Sequence, residues 1–300
     1  MKFKKFAIQW ERLSLDDYQE SYHPTVLGIL KKHLVPFFGE KDIKKINVMD
    51  VEMLKSKVSK DGLAPSTIRS ILNILSRMFS DAVLWEKARR NPVDGVKRPK
   101  DKKTPEEFDN YIDSRDDLRK LLQSADSMGS HIGTFIWLTV RLGCRSGEIR
   151  ALDKFRDLDF ENNTIKLSKK VYMGQEGLPK GKKTRVIQLL PEEMERVRTQ
   201  ASKHPESSLL FPSKSGKPLS HVTPNRWLED ACIKAGIARV TLHGLRHTAG
   251  TMMIRNGVSA EQAAHFLGHA STNTTKRYVH LTGADAAQAG LVLSGAINGK

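Results

Sequence analysis

The sequence has 300 residues, enough for two domains, and its 39% hydrophobic content can bury real cores, which argues against wholesale disorder. Fifty Lys and Arg residues against 34 Asp and Glu residues leave a net charge of +16, which favours a polyanionic partner, either nucleic acid or an acidic membrane face. No apolar run approaches the roughly 18–20 residues of a membrane span, and two cysteines are too few for a disulfide framework or a cysteine zinc site, so we expect a soluble intracellular protein.

The first hundred residues are predicted to form a helical bundle. Apolar residues at helical spacing indicate one helix through residues 26–37. A second helix begins near Asn47, with Asp50 three residues later as in a capping box. A third covers residues 66–83, STIRSILNILSRMFSDAV, directly after Pro65. Its buried face is predicted to consist of Ile68, Ile71, Leu72, Leu75, Phe79, Ala82 and Val83.

A linker is predicted to follow this bundle. Residues 91–110, NPVDGVKRPKDKKTPEEFDN, are rich in proline and charge and show no periodicity. We place the helical domain at 1–100, the linker proper at 101–107 and a second domain at 108–300. The basic run from Lys97 to Lys103 is expected to lie along a phosphate backbone, although basic linkers also occur without that role.

The second half is predicted to mix helices with a few strands. GTFIWLTVRLG indicates a buried helix that ends at Gly143. TIKLS, after Asn162 and Asn163, and RVIQLL, after a Gly/Lys-rich turn, are predicted to be two strands of an antiparallel unit. Helices follow over PEEMERVRTQ, HVTPNRWLEDACIKAG, HGLRH and AEQAAHFLGH, before an Ala/Gly-rich tail from about residue 283. The predicted fold class is mainly α with a small antiparallel β-sheet.

Four stretches hold the polar residues of most chemical interest, and each alone has an ordinary explanation. They are GCRSGEIRAL, PKGKKTRVIQL, HGLRH and LGHASTNTTKRYVH. Arg145 and Glu148 are three residues apart, which suits a local ion pair. His243 and His247 have the helical spacing of zinc ligands, but the glutamate of HExxH is absent and Arg246 in the same turn disfavours a dication.

Taken together, the four stretches contain what phosphoryl transfer requires. Two arginines offer planar forks of donors to the non-bridging oxygens of a phosphodiester, and histidines donate hydrogen bonds or move protons. A tyrosine hydroxyl, with an ordinary pKa of about 10, becomes a nucleophile if cations lower that pKa and align it. A hairpin lysine can protonate the departing oxygen. This set neutralises charge, positions the phosphate and assists the leaving group without a metal or cofactor.

The order of these motifs resembles the tyrosine recombinases, or phage integrase family, over roughly residues 5–282. Family sequences carry a G-x-R-x-x-E box, a lysine on a β-hairpin, H-x-L-R-H, L-G-H and a tyrosine about nine residues later. Here these are matched by Gly143 to Glu148, Lys180, His243 to His247, Leu267 to His269, and Tyr278. Any one box is weak evidence, whereas four in order at family spacing are strong evidence. Gln188 stands where the family commonly has proline, a minor departure.

The resemblance implies six catalytic residues. Four would bind and activate the scissile phosphate: Arg145, His243, Arg246 and His269. Tyr278 would attack that phosphate to give a 3′-phosphotyrosyl link and a free 5′-hydroxyl. Lys180 would be the general acid, although Lys182 and Lys183 share its turn and stay open as alternatives. Glu148 is expected to be a buried support for Arg145 rather than a catalyst.

The same resemblance implies a site-specific recombinase acting on double-stranded DNA. A helical, SAM-like core-binding domain and a mixed α/β catalytic domain would act as a tetramer on paired sites and exchange strands through a Holliday junction. No cofactor, metal or membrane partner is expected, an accessory DNA-bending protein is left open, and the expected location is cytoplasmic and nucleoid-associated. The alternatives are a type IB topoisomerase, a non-catalytic DNA-binding protein and, least favoured, a metal-dependent nuclease.

Overall fold

The computed structural model describes residues 1–100, 111–172, 174–178 and 184–268. The chain divides into two compact units, Met1–Thr104 and Pro105–Lys300. Helices dominate both, and the strands form small antiparallel sheets in the second unit, which confirms the predicted fold class. Within the described ranges, no helix is both long enough and apolar enough to cross a membrane.

Helices build the first unit. They are α1 (Phe3–Ser14), α2 (His23–Ile29), a π-helical segment (Leu30–Leu34), α3 (Val35–Phe38), α4 (Val48–Lys60) and α5 (Pro65–Leu84). The predicted capping box starts α4, because the Asn47 side chain accepts from the Asp50 N–H and the Asp50 carboxylate accepts from the Asn47 N–H, both at 3.2 Å. Pro65 opens α5, where its missing N–H would have had no helical partner.

An apolar core rich in aromatic rings holds these helices together. Phe3, Phe6 and Trp10 of α1 are fully buried in it. The predicted buried face of α5 is confirmed except at Val83, which is 38% exposed in the last turn, beside an exposed Leu84. Ile74 and Met78 are buried as well, so α5 contributes a wider apolar face than the predicted stripe.

The prediction of a linker from residue 91 onward was wrong over residues 91–96. Val93 and Val96 are buried in the core of the first unit. The Asn91 amide donates to the Ser76 carbonyl at 3.2 Å, and its oxygen accepts from the Val93 N–H at 3.0 Å. The nearby prolines and charged residues are typical of a linker, but burial of the two valines is enough to hold this turn against the core. Residues 101–107 lie outside the described ranges.

Two small antiparallel sheets lie in the second unit. The strands are β1 (Leu158–Asp159), β2 (Thr164–Leu167), β3 (Lys170–Tyr172), β4 (Gln175–Gly177) and β5 (Arg185–Gln188). One sheet has the order β1-β2-β5, and β3 pairs with β4 in the other. The predicted antiparallel pairing of β2 with β5 is confirmed, with Ile165 opposite Ile187. Strands β1, β3 and β4 were not predicted, because they are only two or three residues long.

The described helices of the second unit surround a continuous apolar core. They are α6 (Arg115–Met128), α7 (Ser130–Arg141), α8 (Ser146–Ile149), α9 (Pro191–Ser202), α10 (Val222–Ala235), α11 (Leu242–Arg255) and α12 (Ala260–Leu267). Helix α6 was not predicted. The start of the unit is attached to α11, because the Ile112 N–H donates to Thr248 Oγ1 at 2.9 Å. The Arg255 guanidinium also donates to the Asp113 carbonyl oxygen at 3.0 Å.

Candidate active site

Three of the six predicted catalytic residues lie in described parts of the second unit: Arg145, His243 and Arg246. The other three, Lys180, His269 and Tyr278, lie outside the described residues, as do Lys182, Lys183 and the tail from residue 283. The structure therefore provides one face of the candidate site, built from α8, α11 and the elements packed against them.

The turn between α7 and α8 presents Arg145. Gly143 has a φ of +52°, and a Cβ there would lie 2.5 Å from Leu267 Cδ2, so only glycine lets this turn approach α12 so closely. Arg145 then precedes the first residue of α8, and its Nη1 donates to Glu148 Oε1 at 3.1 Å. Its side chain stays 30% exposed, so the guanidinium can contact a ligand while Glu148 holds its Nη1.

The buried carboxylate Glu148 organises the cations of this site. It accepts from the Arg145 N–H at 2.9 Å and from Arg185 Nη2 at 2.9 Å, and its side chain is only 2% exposed. Burial by itself would raise the pKa of this carboxyl. The charge of Arg185, the hydrogen bond from the Arg145 N–H and the charges of Arg145 and Arg246 outweigh burial and hold the pKa below its ordinary value. Glu148 is therefore an ionised support, in the position that sequence analysis predicted.

Helix α11 carries Arg246 into the interior. Thr241 caps this helix by accepting from the Gly244 N–H at 2.9 Å, which fixes its first turn. Arg246 is only 1% exposed and its Nη1 donates to the Gly143 carbonyl oxygen at 2.8 Å. Its Nη2 is buried and has no hydrogen-bond acceptor among the described residues. Burial, together with repulsion from Arg145 and Arg185, lowers the pKa of this guanidinium to about 10.

His243 and His247 lie one helical turn apart on α11. Their ring centroids are 4.6 Å apart and the rings are perpendicular. His243 is exposed, whereas His247 is buried. Among the described residues, no group of three or more His, Cys, Asp or Glu side chains has a metal-binding arrangement.

Arg185, at the start of β5, was not among the predicted site residues. Its Nη1 donates to the Leu267 carbonyl oxygen at 2.8 Å, in addition to the bond from Nη2 to Glu148. A signal was available in the alternation of the strand: Arg185 lies on the same face as the buried Ile187, whereas Val186 and Gln188 are exposed. An arginine on the inward face of a short strand indicates a buried charge partner.

The charges of the site do not balance among the described groups. The three guanidinium groups of Arg145, Arg185 and Arg246 face one carboxylate, Glu148, and two of those arginines are largely buried. Such an arrangement attracts an anion and offers it charge-assisted hydrogen bonds. Cys144 lies among these residues, but burial raises the pKa of its thiol to about 12, so it stays protonated and is no nucleophile.

Residues 114–284 match the profile of the phage integrase family. Transposase B from transposon PsiTn554 of Staphylococcus aureus is 27% identical, with 93% of this chain matched. The chain spans 45% of the length of that transposase, about half. Tyrosine recombinase XerC of Vibrio atlanticus is 26% identical, with 96% of this chain and 90% of the relative matched.

Solved structures of similar fold are integrases bound to DNA. A lambda integrase dimer bound to a COC′ core site matches with a TM-score of 0.76 at 17% identity, covering 93% of this chain and 95% of that one. The Tn1549 transposon integrase in complex with a circular intermediate DNA matches with a TM-score of 0.78 at 19% identity, covering 93% and 94%. A lambda integrase tetramer bound to a Holliday junction matches with a TM-score of 0.76 at 16% identity, covering 93% of this chain and 77% of that one. At these identities the likeness establishes the fold.

Proposed function

Because this chain belongs to the phage integrase family, we propose that it is a site-specific tyrosine recombinase that breaks and rejoins DNA strands. The first unit would bind the core of a double-stranded site, and the second would carry the chemistry. Exchange of strands would proceed through a Holliday junction in a tetramer on paired sites. A lambda integrase tetramer bound to such a junction has the same fold, which supports this assembly.

Each described site residue has a role in this chemistry. Arg145 and Arg246 would hold the two non-bridging oxygens of the scissile phosphate and stabilise the charge that develops there. His243, exposed in the first turn of α11, would donate a further hydrogen bond to the phosphate. Tyr278 would lose its hydroxyl proton to water and attack the phosphorus, and the 5′-oxygen would leave with a proton from Lys180 or another lysine among residues 180–183. The phosphotyrosyl bond would keep the energy needed for rejoining, so no nucleotide triphosphate is required.

One observation carries the proposal: the buried Nη2 of Arg246 has no acceptor among the described residues. A buried guanidinium donor without an acceptor costs stability, and the fold keeps it next to Arg145, a second arginine that is only partly covered. A phosphate oxygen would supply the acceptor and the negative charge that this pair lacks. Stabilisation of phosphate charge by arginines explains both the burial and the missing partner.

The test uses a DNA duplex with a nick near the cleavage point, which traps the covalent protein–DNA adduct. We expect the wild-type protein to form this adduct in excess EDTA and Tyr278→Phe to form none while still binding the DNA. Denaturing gels report the adduct and gel-shift titrations report binding. Loss of the adduct in EDTA with recovery in Mg²⁺ would show that a metal, not the arginines, supplies the charge. Relaxation of supercoiled DNA by a single protomer without a paired site would favour the type IB topoisomerase instead.

A second substrate identifies the general acid. Sulfur in place of the bridging 5′-oxygen is a better leaving group, because the pKa of a thiol, about 8.5 for cysteine, lies far below that of an alcohol. Lys180→Ala should cleave normal DNA slowly and the sulfur substrate almost normally, whereas Arg145→Ala should be slow on both. Lys182→Ala and Lys183→Ala are the matched controls. If the sulfur substrate restores cleavage by Lys182→Ala or Lys183→Ala, and not by Lys180→Ala, the restored position is the general acid.

A further inference from the structure

Arg185 joins three segments of the second unit that are far apart in the sequence. It lies on β5, its Nη1 donates to the Leu267 carbonyl oxygen on α12 at 2.8 Å, and its Nη2 donates to Glu148 on α8 at 2.9 Å. The side chain is 10% exposed, so these contacts, rather than solvent, determine its position. Glu148 in turn holds Arg145 through two hydrogen bonds.

The chain around Gly268 is shaped to fit this guanidinium. Gly268 ends α12 with a φ of +67°, and a Cβ there would lie 2.5 Å from Arg185 Nη1. The Leu267 carbonyl belongs to the last turn of α12, where carbonyl groups lack helical partners and a positive charge is favourable. Arg185 therefore occupies the space that the missing side chain leaves and satisfies the end of the helix.

We propose that Arg185 is a positioning residue for the strand-cleavage reaction, and this role depends on the proposed function. By holding Leu267 and Glu148 with one planar group, it fixes the spacing between Gly268, which directly precedes His269, and Arg145. The end of α12 and Arg145 are then held in one frame, although they lie on separate segments of the chain. Arg185 acts through these residues and need not touch the DNA.

This role depends more on the planar geometry of the Arg185 guanidinium than on its charge. A guanidinium presents parallel donors to two acceptors on different elements, whereas an ammonium is a compact charge on a flexible stem. Arg185→Lys keeps the positive charge beside Glu148 but cannot reproduce both bonds at once. A role in charge balance alone would be rescued fully by lysine, and a positioning role only in part.

The experiment measures DNA affinity and the rate of adduct formation at saturating DNA, using the full chain and the nicked duplex. We expect Arg185→Gln to lower the rate roughly 10- to 100-fold, as small displacements of reacting groups do, and to leave the affinity within about two-fold of wild type, since the phosphate-backbone contacts that dominate affinity remain. Arg185→Lys should recover part of the rate. If Arg185 acts through the segment that carries His269, Arg185→Gln should add nothing to the defect of His269→Ala.

Arg150→Gln is the matched control, because Arg150 is also buried but donates to the backbone carbonyls of Ser146, Leu219 and Val171. If Arg150→Gln slows adduct formation, its effect should be independent of His269→Ala, so that the fold-losses of the two single variants multiply in the double variant. Independent, multiplying losses from Arg185→Gln and His269→Ala would overturn the proposal, and so would full recovery by lysine. Should Arg185→Gln fail to fold, Arg185→Lys takes its place. The rates of Arg185→Lys, His269→Ala and the double variant are then compared, and independent, multiplying losses of rate would again overturn the proposal. Absence of the adduct in the wild-type protein would instead overturn the proposed function, and this role with it.

Discussion

The two units of the chain bury charged groups in different ways. In the first unit, Asp81 accepts from the Trp10 indole N–H at 2.7 Å and from Arg77 at 3.3 Å, so a mostly buried carboxylate has its partners. In the second unit, Arg145, Arg185 and Arg246 gather around Glu148 alone. Positive charge exceeds negative charge among these four groups, and Arg246 keeps a buried donor without an acceptor in the described ranges.

This difference separates structural from functional charge. Buried polar groups normally find partners because an unpaired one costs free energy, and the buried side-chain polar atoms described in residues 1–100 follow that rule. Like charges placed together in the second unit oppose folding, which agrees with the proposed role of these arginines in binding a phosphate. The comparison can be tested by removing one group at a time and measuring stability and cleavage separately.

The largest effect on stability is expected for Glu148→Gln. It leaves Arg145 and Arg185 without their carboxylate, and loss of one member of a buried ion pair typically costs about 3–5 kcal/mol. Urea denaturation at pH 7 measures this loss. Because the pKa of Glu148 is lowered from its ordinary value of 4.5, its contribution is complete above that pH and disappears as pH falls through the lower folded-state value.

The difference between wild type and Glu148→Gln should therefore narrow below about pH 4.5. Glu176→Gln is the control, since Glu176 forms an exposed ion pair with Arg156 and its removal should change stability little. A difference that stays constant into the acidic range would mean that the ionised form of Glu148 is not what the fold uses.

Arg246→Met is expected to change the stability in the opposite direction to Glu148→Gln. Replacing a buried charge that lies among like charges with an apolar side chain relieves their repulsion, although it also leaves the Gly143 carbonyl oxygen without its donor. We therefore expect the free energy of unfolding to rise by about 1 kcal/mol, while adduct formation is abolished. The pKa of Arg246 is lowered to about 10 from 12.5, so the cost of its charge is complete below the lower value and is relieved only as pH rises between the two. The gain should thus be the same at pH 6 and pH 9.

Arg150→Met provides the contrast within the same unit. Arg150 is buried too, but its donors meet three backbone carbonyls at 2.7–3.1 Å, so its loss leaves acceptors unpaired. The free energy of unfolding of Arg150→Met should be lower than that of the wild type by roughly 1–3 kcal/mol. Equal destabilisation by the two substitutions would remove the distinction between structural and functional arginines.

Trp10→Phe tests the first unit. It removes the indole N–H from Asp81 and keeps most of the apolar contact, so stability should fall by about 1–2 kcal/mol. The rate of adduct formation at saturating DNA should stay unchanged. The double variant Trp10→Phe/Asp81→Asn serves as control, because the two losses share one hydrogen bond and should not add. A slower cleavage step would indicate that the first unit contributes to the chemistry.

The smallest effect is expected for Asp17→Asn. Asp17 pairs with Arg77 at 3.1 Å, with both side chains more than half exposed. Water and salt screen such pairs, so the change in unfolding free energy should stay below about 0.5 kcal/mol. Thermal unfolding at low and high salt measures it. A loss above about 1 kcal/mol would show that surface pairs matter more in this unit than we infer.

Local patterns in the sequence were sufficient for much of the fold. The buried face of α5 and the Asn47–Asp50 capping box follow from spacing over a few residues, and the pairing of β2 with β5 follows from two short apolar runs on either side of a Gly/Lys-rich stretch. The boxes around Arg145 and Arg246 were likewise recognisable from residues close together in the chain.

Features that depend on distant partners were missed. Arg185 gains its importance from Glu148 and Leu267, which are 37 and 82 residues away, and no local spacing records that meeting. Strand β4, Gln175–Gly177, has no apolar alternation and exists because it pairs with β3. Residues 91–96 looked like linker because two buried valines are too few to form a periodic pattern.

The hydrogen bond from Ile112 to Thr248 bears on how the protein emerges from the ribosome. Its partners are 136 residues apart, so the opening residues of the second unit wait for α11 to be synthesised. At about 5–20 residues per second, that delay is roughly 7–27 s. The described contacts of the first unit need nothing beyond residue 100, so this unit can fold during the delay. Nascent chains stalled before residue 248 should therefore protect the first unit from protease and leave residues 111–115 open to it.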